Sequence, residues 1–487
     1  MRKSRFINTR EPMPRLRPSP AFWIVAPYVA FAIVWLIHVM ARADGSGCPP
    51  NSDCWDYTWI MGESLFTPVW FRKLNVGLRG FAVTAFYSFF GPPRPEAFLS
   101  AKLVQSALLG TSFVIFALSL ARFARTTLAR VILAIFVLST AWQGGYYGTA
   151  TTLSSDPLGL TFSLFSLSIL VWWGAFQDLT SLPGMRFAAL RILGAVIAPV
   201  FFLFAIKSRE SNLALLLPCL PVLYSSILLA RTRVGRISTT GFVCGLVGVF
   251  LVGAKTMSPK IQQYGMGHVI ASIGLSDEIV RRNFKTVPPL DSIQPSLSPM
   301  RKGETVESFV SDRDRVYNPI KYGSSSGISW TGDFANPLYR AHPGIATFAM
   351  QRGRAAWTTF LVSHPRWFLK AIWDNRNAMF NKSLPNGLFA TPSAAFYSVL
   401  AAAFLSVAWI IRLFRRKPLD LIRPDFAAAV TLTLGGLVNV IACYWYDIWE
   451  MSEMVRHVMA GRIIMSSGCI LICVLLAERI IRKPTQR

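Results

Sequence analysis

The sequence has few charged residues, and acidic residues are the scarcer kind. Charged side chains make up 15% of the 487 residues, against about 25% in an average soluble protein. Hydrophobic residues make up 53%, and the charges lie between long apolar runs. This composition excludes a soluble globular enzyme, a disordered chain and a disulfide-rich secreted module. We therefore expect a polytopic membrane protein.

Lysine and arginine outnumber aspartate and glutamate by 50 to 24, which gives a net charge of +26. No basic face interleaved with aromatic residues and no nucleic-acid motif accompanies this charge, so we expect no nucleic-acid partner. In a membrane protein such an excess is typical of cytoplasmic loops and of contact with anionic lipid head groups.

The sequence also has no CxxC pair and no HExxH motif, and its five histidines are scattered. These absences argue against a metal cage built by the protein alone, while the need for a divalent metal ion stays open. Five of the seven cysteines lie in apolar runs, where a thiol packs as a small hydrophobic group. Cys48 and Cys54 instead share one polar loop, where an oxidising compartment would allow a disulfide between them.

Ten apolar stretches are long enough for a membrane-spanning helix, which needs about 20 residues. They are 21–41, 98–121, 127–143, 157–176, 187–206, 212–230, 237–255, 391–412, 425–443 and 459–478. Their length and lack of charge favour helices over barrel strands. The predicted fold class is an all-α polytopic membrane protein with about ten transmembrane helices.

Basic residues cluster in alternate connections between these stretches, beginning with the N-terminal tail, and only 177–186 is weak, with Arg186 alone. The excess recurs at 122–130, 231–236, 412–423 and in the C-terminal tail. This alternation predicts cytoplasmic termini in a plasma (bacterial inner) membrane, with an extracytoplasmic active site. Ala41-Arg42-Ala43 resembles a signal-peptidase site. The preceding apolar run is longer than the roughly 7–15 residues of the hydrophobic region of a signal peptide, which disfavours cleavage.

Four regions follow from this layout. A cytoplasmic basic tail (1–20) precedes an N-terminal transmembrane module (21–255) that includes an outer loop at 42–97. A large extracytoplasmic segment (256–390) comes next; its part from 346 to 383 mixes tryptophans with cations, as helices in the membrane interface do. A C-terminal transmembrane module (391–487) follows it.

Polar residues at the predicted outer face are the candidates for chemistry. Asp53 and Asp56 lie three residues apart and share one face of a helix-like stretch, although each is also typical of a solvated surface acid. Asp156 precedes a proline at the start of the fourth span, where helix capping is the alternative explanation. The cations nearest to these acids in the predicted topology are Arg72, Lys73, Lys207 and Arg209. At a membrane surface such cations either hold a phosphate or snorkel to the interface.

The order of these features resembles the GT-C superfamily of membrane glycosyltransferases, especially the lipid A aminoarabinose transferases and relatives of the protein mannosyltransferases. The matching features, in chain order, are Asp53 four residues before Tyr57, the basic stretch Arg72–Arg79 with an apolar run to Phe90-Gly91, Asp156-Pro157, Lys207 with Arg209, Ser363-His364-Pro365, and Arg456. The chain departs from the pattern at Cys54, where many relatives have a second acid, and at His457, where they have an aromatic residue.

The resemblance implies a reaction and a site. The donor would be a sugar on a polyprenyl phosphate, and the acceptor a hydroxyl of a lipid, glycan or protein beside the membrane lipids. Asp53 would be the base, with Asp56 as its competitor, and Asp156 would help to position the acceptor. The leaving phosphate would be bound by Arg72, Lys73, Lys207, Arg209 and Arg456. The alternative is a polymerase, ligase or transporter of lipid-linked glycans, although a transporter should carry charges within its spans.

Overall fold

The computed structural model describes residues 20–48, 54, 58–76, 81–145, 150–178, 185–208, 212, 240–241, 243–245, 247–248, 251, 362, 365–374, 376, 393–415, 424–447 and 458–481. Within these residues the chain is helical and contains no strand. The helices with described bounds are α1 (Pro20–Arg42), α2 (Pro68–Val76), α3 (Phe81–Ser88), α4 (Pro95–Ala121), α5 (Thr127–Ser139), a 3-10 helix (Thr140–Gly145), α6 (Ser155–Asp178), α7 (Met185–Ser208), α8 (Pro365–Asp374), α9 (Ala394–Arg415), α10 (Pro424–Asp447) and α11 (Met459–Ile481).

Helices occupy eight of the ten predicted span positions. The other two, 212–230 and 237–255, lie mostly outside the described residues. Among the residues that are described, five helices are long and apolar enough to cross a membrane: α1, α4, α9, α10 and α11. Shorter apolar helices lie within α5 to α7. The all-helical class is thus confirmed for this part of the chain, and its apolar helices are those of a membrane protein.

Local sequence explains where several helices begin. Pro95 opens α4, where its missing N–H costs nothing, and Glu96 in the first turn complements the helix dipole. The hydroxyl of Thr126 accepts a hydrogen bond from the backbone N–H of Ala129 at 3.1 Å and so caps α5. Asp156 lies in the first turn of α6, as the Asp-Pro pair predicts.

One apolar core joins helices from both halves of the chain. Phe31 and Trp35 of α1 pack against Phe113 of α4 and Trp142 of the 3-10 helix. α11 is almost wholly buried in protein and contacts α5, α9 and α10. The helices of the predicted N-terminal and C-terminal modules therefore pack as one bundle.

One end of the bundle is fastened by two consecutive residues of α11. Glu478 accepts hydrogen bonds from the backbone N–H groups of Arg125 and Thr126, at 3.0 and 2.7 Å, before α5. Arg479 pairs with Asp425 in the first turn of α10 at 3.5 Å. Both carboxylates lie at helix N-termini, where negative charge is favourable. We call this the capped end; the opposite end, where α1 finishes and α4 and α6 begin, is the loop end.

α8 falls in the part of segment 256–390 predicted to lie in the membrane interface. Phe368 is buried against the core, whereas Leu369 and Trp373 are exposed. The guanidinium carbon of Arg376 lies 4.8 Å from the centroid of the Trp373 ring, a cation–π contact. Exposed apolar side chains beside a cation suit a helix at a membrane surface.

Candidate active site at the loop end

Asp156 is buried at the loop end, in the first turn of α6, with only 3% of its surface exposed. The segment before it, 150–154, is held by side chains of α3 and α4. The hydroxyl oxygen of Tyr87 lies 3.1 Å from a backbone carbonyl of this segment. The amide nitrogen of Gln105 donates to two more carbonyls at 3.0 and 2.9 Å. Asp156 is therefore shielded from solvent and follows a segment whose backbone is held in place.

The structure joins Cys48 to Cys54 by a disulfide, with 5.3 Å between the Cα atoms. Both cysteines are buried in an apolar cluster that also contains Leu153 and Leu158. Those two leucines lie on either side of Asp156 in the sequence. The disulfide therefore shares an apolar cluster with the segment that carries the buried acid.

Four predicted site residues, Asp53, Asp56, Arg209 and Arg456, lie outside the described residues. Asp53 is the sequence neighbour of Cys54, which is described. The structure thus places one end of the first acidic motif, at Cys54, in the same cluster as the start of α6.

The two predicted cations of α2 differ in their surroundings. Lys73 forms an ion pair with Glu63 and lies 5.7 Å from the centroid of the Trp59 ring. Arg72 is exposed. Glu63 was not predicted, and it balances the charge of Lys73 within the segment 42–97. Of the two cations, Arg72 is thus the better candidate for a phosphate ligand.

α3 links the parts of this region. Tyr87 belongs to the cluster around the disulfide, and Ala85 packs against the apolar residues of α2. The same helix contacts α7, whose last turn carries Lys207. After α7, the side-chain amide of Asn212 donates to the carbonyl of Ala205 at 3.0 Å, which brings the chain back onto the helix end. Elements that carry four of the predicted site residues thus meet around one short helix: Arg72, Lys73, Asp156 and Lys207.

Three buried polar residues were not predicted as part of the site. Lys102 and Gln105 lie near the loop end of α4, and Arg462 lies in the first turn of α11 with 1% of its surface exposed. Arg462 follows the predicted cation Arg456 by six residues. A charged residue inside an apolar run is costly unless it has partners, so Lys102 and Arg462 had a detectable signal in the sequence.

No protein family and no curated protein matches the sequence. A solved structure of the archaeal oligosaccharyltransferase AglB from Archaeoglobus fulgidus, in complex with an inhibitory peptide and a dolichol-phosphate, is similar with 11% identity and a TM-score of 0.41, covering 92% of this chain and 50% of that chain. The apo form of the oligosaccharyltransferase from the same organism gives 11% identity and a TM-score of 0.44, covering 94% and 51%. The chain spans about half the length of these proteins. Similarity at this level assigns neither fold nor reaction, so the function has to be argued from the residues of this chain.

Proposed function

We propose that this protein is an integral membrane glycosyltransferase of the GT-C type. It transfers a sugar from a polyprenyl phosphate to an acceptor hydroxyl at the extracytoplasmic face of the membrane. The observation that carries the proposal is that the Cys48–Cys54 disulfide and the residues that flank the buried Asp156 belong to one packed apolar cluster. This packing supports a site in which an acid of the first loop and an acid of α6 act on one acceptor.

The proposed reaction is a single displacement. Asp53 takes the proton of the acceptor hydroxyl while the acceptor oxygen forms a bond to C1 of the sugar. The bond between C1 and the phosphate oxygen breaks, and its electron pair leaves with the lipid phosphate. Attack from the face opposite the leaving group inverts the configuration at C1. Asp156 orients the acceptor hydroxyl toward Asp53.

Negative charge develops on the leaving phosphate, so the site needs cations there. The proposed ligands are Lys207, Arg209, Arg72 and Arg456. Lys73 is a weaker candidate because its ion pair with Glu63 already balances its charge. A phosphate would have to compete with that carboxylate for the ammonium group.

The proposal is tested by transfer assays on the full chain in lipid nanodiscs, with undecaprenyl-phosphate-linked hexoses and pentoses as donors. Asp53→Asn keeps the shape of the side chain but removes the base, so transfer should fall by about 100-fold or more. Yield and thermal stability should stay near those of the wild type. Asp56→Asn is the matched control, three residues away. Running the assay with and without EDTA decides the need for a divalent metal ion.

The outcomes separate the roles. Arg209→Ala should weaken use of the donor and be partly rescued by more donor, because its role is phosphate binding. Normal transfer by Asp53→Asn with loss in Asp56→Asn would move the base to Asp56. Normal transfer in both variants would remove the proposed active site. Export of intact lipid-linked glycan without transfer would favour a transporter instead.

A further inference from the structure

We propose that one face of α4 aligns the two acid-bearing segments of the site, and that Lys102 and Gln105 are positioning residues for the transfer reaction. This inference rests on the proposed function. Lys102, Gln105 and Ser106 stand at positions i, i+3 and i+4, so their side chains leave the helix on the same face. One of them binds the segment that leads to the disulfide, and the other two bind the segment that leads to Asp156.

Lys102 holds the start of the first loop. Its ammonium nitrogen lies within hydrogen-bonding distance of four oxygens: the carbonyl and Oδ1 of Asp44, at 3.1 and 2.6 Å, and the carbonyl and Oγ of Ser46, at 2.8 and 2.9 Å. An ammonium group has three hydrogens, so each of them has an acceptor. The residue is 4% exposed although its partner Asp44 is exposed. The charge is thus buried with its hydrogen bonds made, which is the condition for a buried lysine.

The loop backbone lies directly on the first turns of α4. A Cβ atom on Gly47 would be 2.9 Å from the ring of Phe98, and one on Gly45 would be 3.0 Å from Pro95. Cys48 follows at once and is closed to Cys54 by the disulfide. The loop is therefore held against α4 just before Cys48. The disulfide then joins the two residues that flank the stretch 49–53, which ends in Asp53.

Gln105 and Ser106 hold the other segment. The amide nitrogen of Gln105 donates to the carbonyls of Ala150 and Thr152, and its amide oxygen accepts from the hydroxyl of Tyr87. The hydroxyl of Ser106 donates to the carbonyl of Ala150 at 2.6 Å. Both amide hydrogens and the amide oxygen of Gln105 are thus used, and the side chain is completely buried.

Stability alone gives little reason to keep these polar groups. A buried ion pair or amide network is often no more stable than apolar residues that fill the same volume. Such a network does fix the position of the groups that it binds. A displaced group would leave buried polar atoms without hydrogen bonds, which is costly. One turn of α4 therefore binds both the segment that leads to the disulfide and the segment that leads to Asp156. A displacement of about 1 Å at a reacting group can lower a rate by about 100-fold.

The test combines hydrogen–deuterium exchange with transfer kinetics on the full chain in nanodiscs. Lys102→Met should raise exchange in residues 43–48 and leave 150–155 unchanged, and Gln105→Leu should do the reverse. Both should lower kcat for sugar transfer from undecaprenyl-phosphate-linked donors by about 10- to 100-fold, with the donor KM within about threefold of wild type. Lys102→Arg should restore part of the rate, because arginine still donates several hydrogen bonds.

Ser106→Ala has a matched control in Ser119→Ala on the same helix. Both hydroxyls are completely buried, but that of Ser119 bonds within its own helix, to the carbonyl of Ile115 at 2.7 Å. Ser106→Ala should raise exchange in 150–155 and lower kcat, and Ser119→Ala should change neither. This pair keeps the test decisive even if Lys102→Met or Gln105→Leu fails to fold.

Each result has one meaning. Unchanged exchange in the folded variants would show that α4 does not hold the segments and would overturn the inference. Raised exchange with wild-type kcat would overturn the positioning role. A third result is that the wild type transfers no sugar from any donor while exchange in the variants responds as expected. The proposed function would then fail, and the positioning role with it. The attachment of the segments to α4 would stand.

Discussion

α10 and α11 cross at glycines, and filling that crossing should destabilise the whole bundle. A Cβ atom on Gly436 would lie 2.3 Å from the carbonyl oxygen of Gly461 and 2.4 Å from the backbone nitrogen of Met465. Ordinary contact begins near 3.4 Å, so Gly436→Ala requires the helices to separate by about 1 Å. Both obstructing atoms belong to the backbone, so no side-chain rotation relieves the clash.

The expected cost follows from two opposing effects. Overpacking a well-packed contact costs about 1–3 kcal/mol, and backbone obstruction places this site at the upper part of that range. Alanine is a better helix former than glycine by about 1 kcal/mol, which offsets part of the cost. Separation of α10 from α11 also weakens dispersion contacts along the interface. We expect a net loss of about 2 kcal/mol in the free energy of unfolding.

The assay is the fraction of monodisperse protein in detergent after heating for a fixed time at increasing temperature. A loss of this size should lower the apparent midpoint by roughly 2 °C, because the entropy of unfolding scales with the 487-residue length of the chain. Gly241→Ala is the matched control, because Gly241 is helical and no atom of the described residues lies within 4 Å of its added Cβ. Gly241→Ala should keep the wild-type midpoint or raise it slightly. Equal midpoints for Gly436→Ala and the wild type would refute the close crossing of α10 and α11.

Three further predictions address the other parts of the bundle. Glu478→Gln should lower the free energy of unfolding by about 1 kcal/mol in the same heating assay, because it removes the charge that caps α5. The hydrogen bond from Lys102 holds the pKa of Asp44 at about 2, below its ordinary 3.8, so the ion pair persists above pH 3.8 and is lost as the pH falls through about 2. Lys102→Met should therefore raise carbodiimide labelling of Asp44 at about pH 4.5 more than tenfold, measured by peptide mass spectrometry; unchanged labelling would contradict the ion pair. A cysteine at Ser324 should react with an impermeant maleimide in intact cells and one at Arg415 should not, and the reverse pattern would invert the predicted topology.

The positions of the helices were predictable because an apolar run of about 20 residues has one stable backbone state in a bilayer. The eight described helices at predicted span positions agree with the predicted bounds to within four residues. Asp156 was also accessible to prediction, since an acid before a proline marks a helix start. Its burial was not, because burial depends on Tyr87 and Gln105, which are 69 and 51 residues away in the sequence.

Contacts between loops and helices left little trace in the sequence. Lys102 binds oxygens 56 and 58 residues away, and no periodicity relates them. Lys73 was predicted to bind phosphate because it is a cation at a predicted membrane surface, and its partner Glu63 lies ten residues away in a stretch of turns. Only the folded loop decides which carboxylate reaches which ammonium group.

Polar side chains join helices to one another at the capped end and join loop segments to a helix at the loop end. The two ends should therefore contribute differently to the stability of the bundle and to the positioning of the loops. At the capped end, Glu478 and Arg479 fix the N-termini of two helices, α5 and α10, to α11. At the loop end, Lys102 and Gln105 fix loop segments, while the helices there are held by the apolar core. Changes at the capped end should therefore lower the free energy of unfolding and have little effect on the loop segments. Changes at the loop end should release those segments while the bundle stays folded, which is the arrangement expected if the loops carry the chemistry and the helices carry the fold.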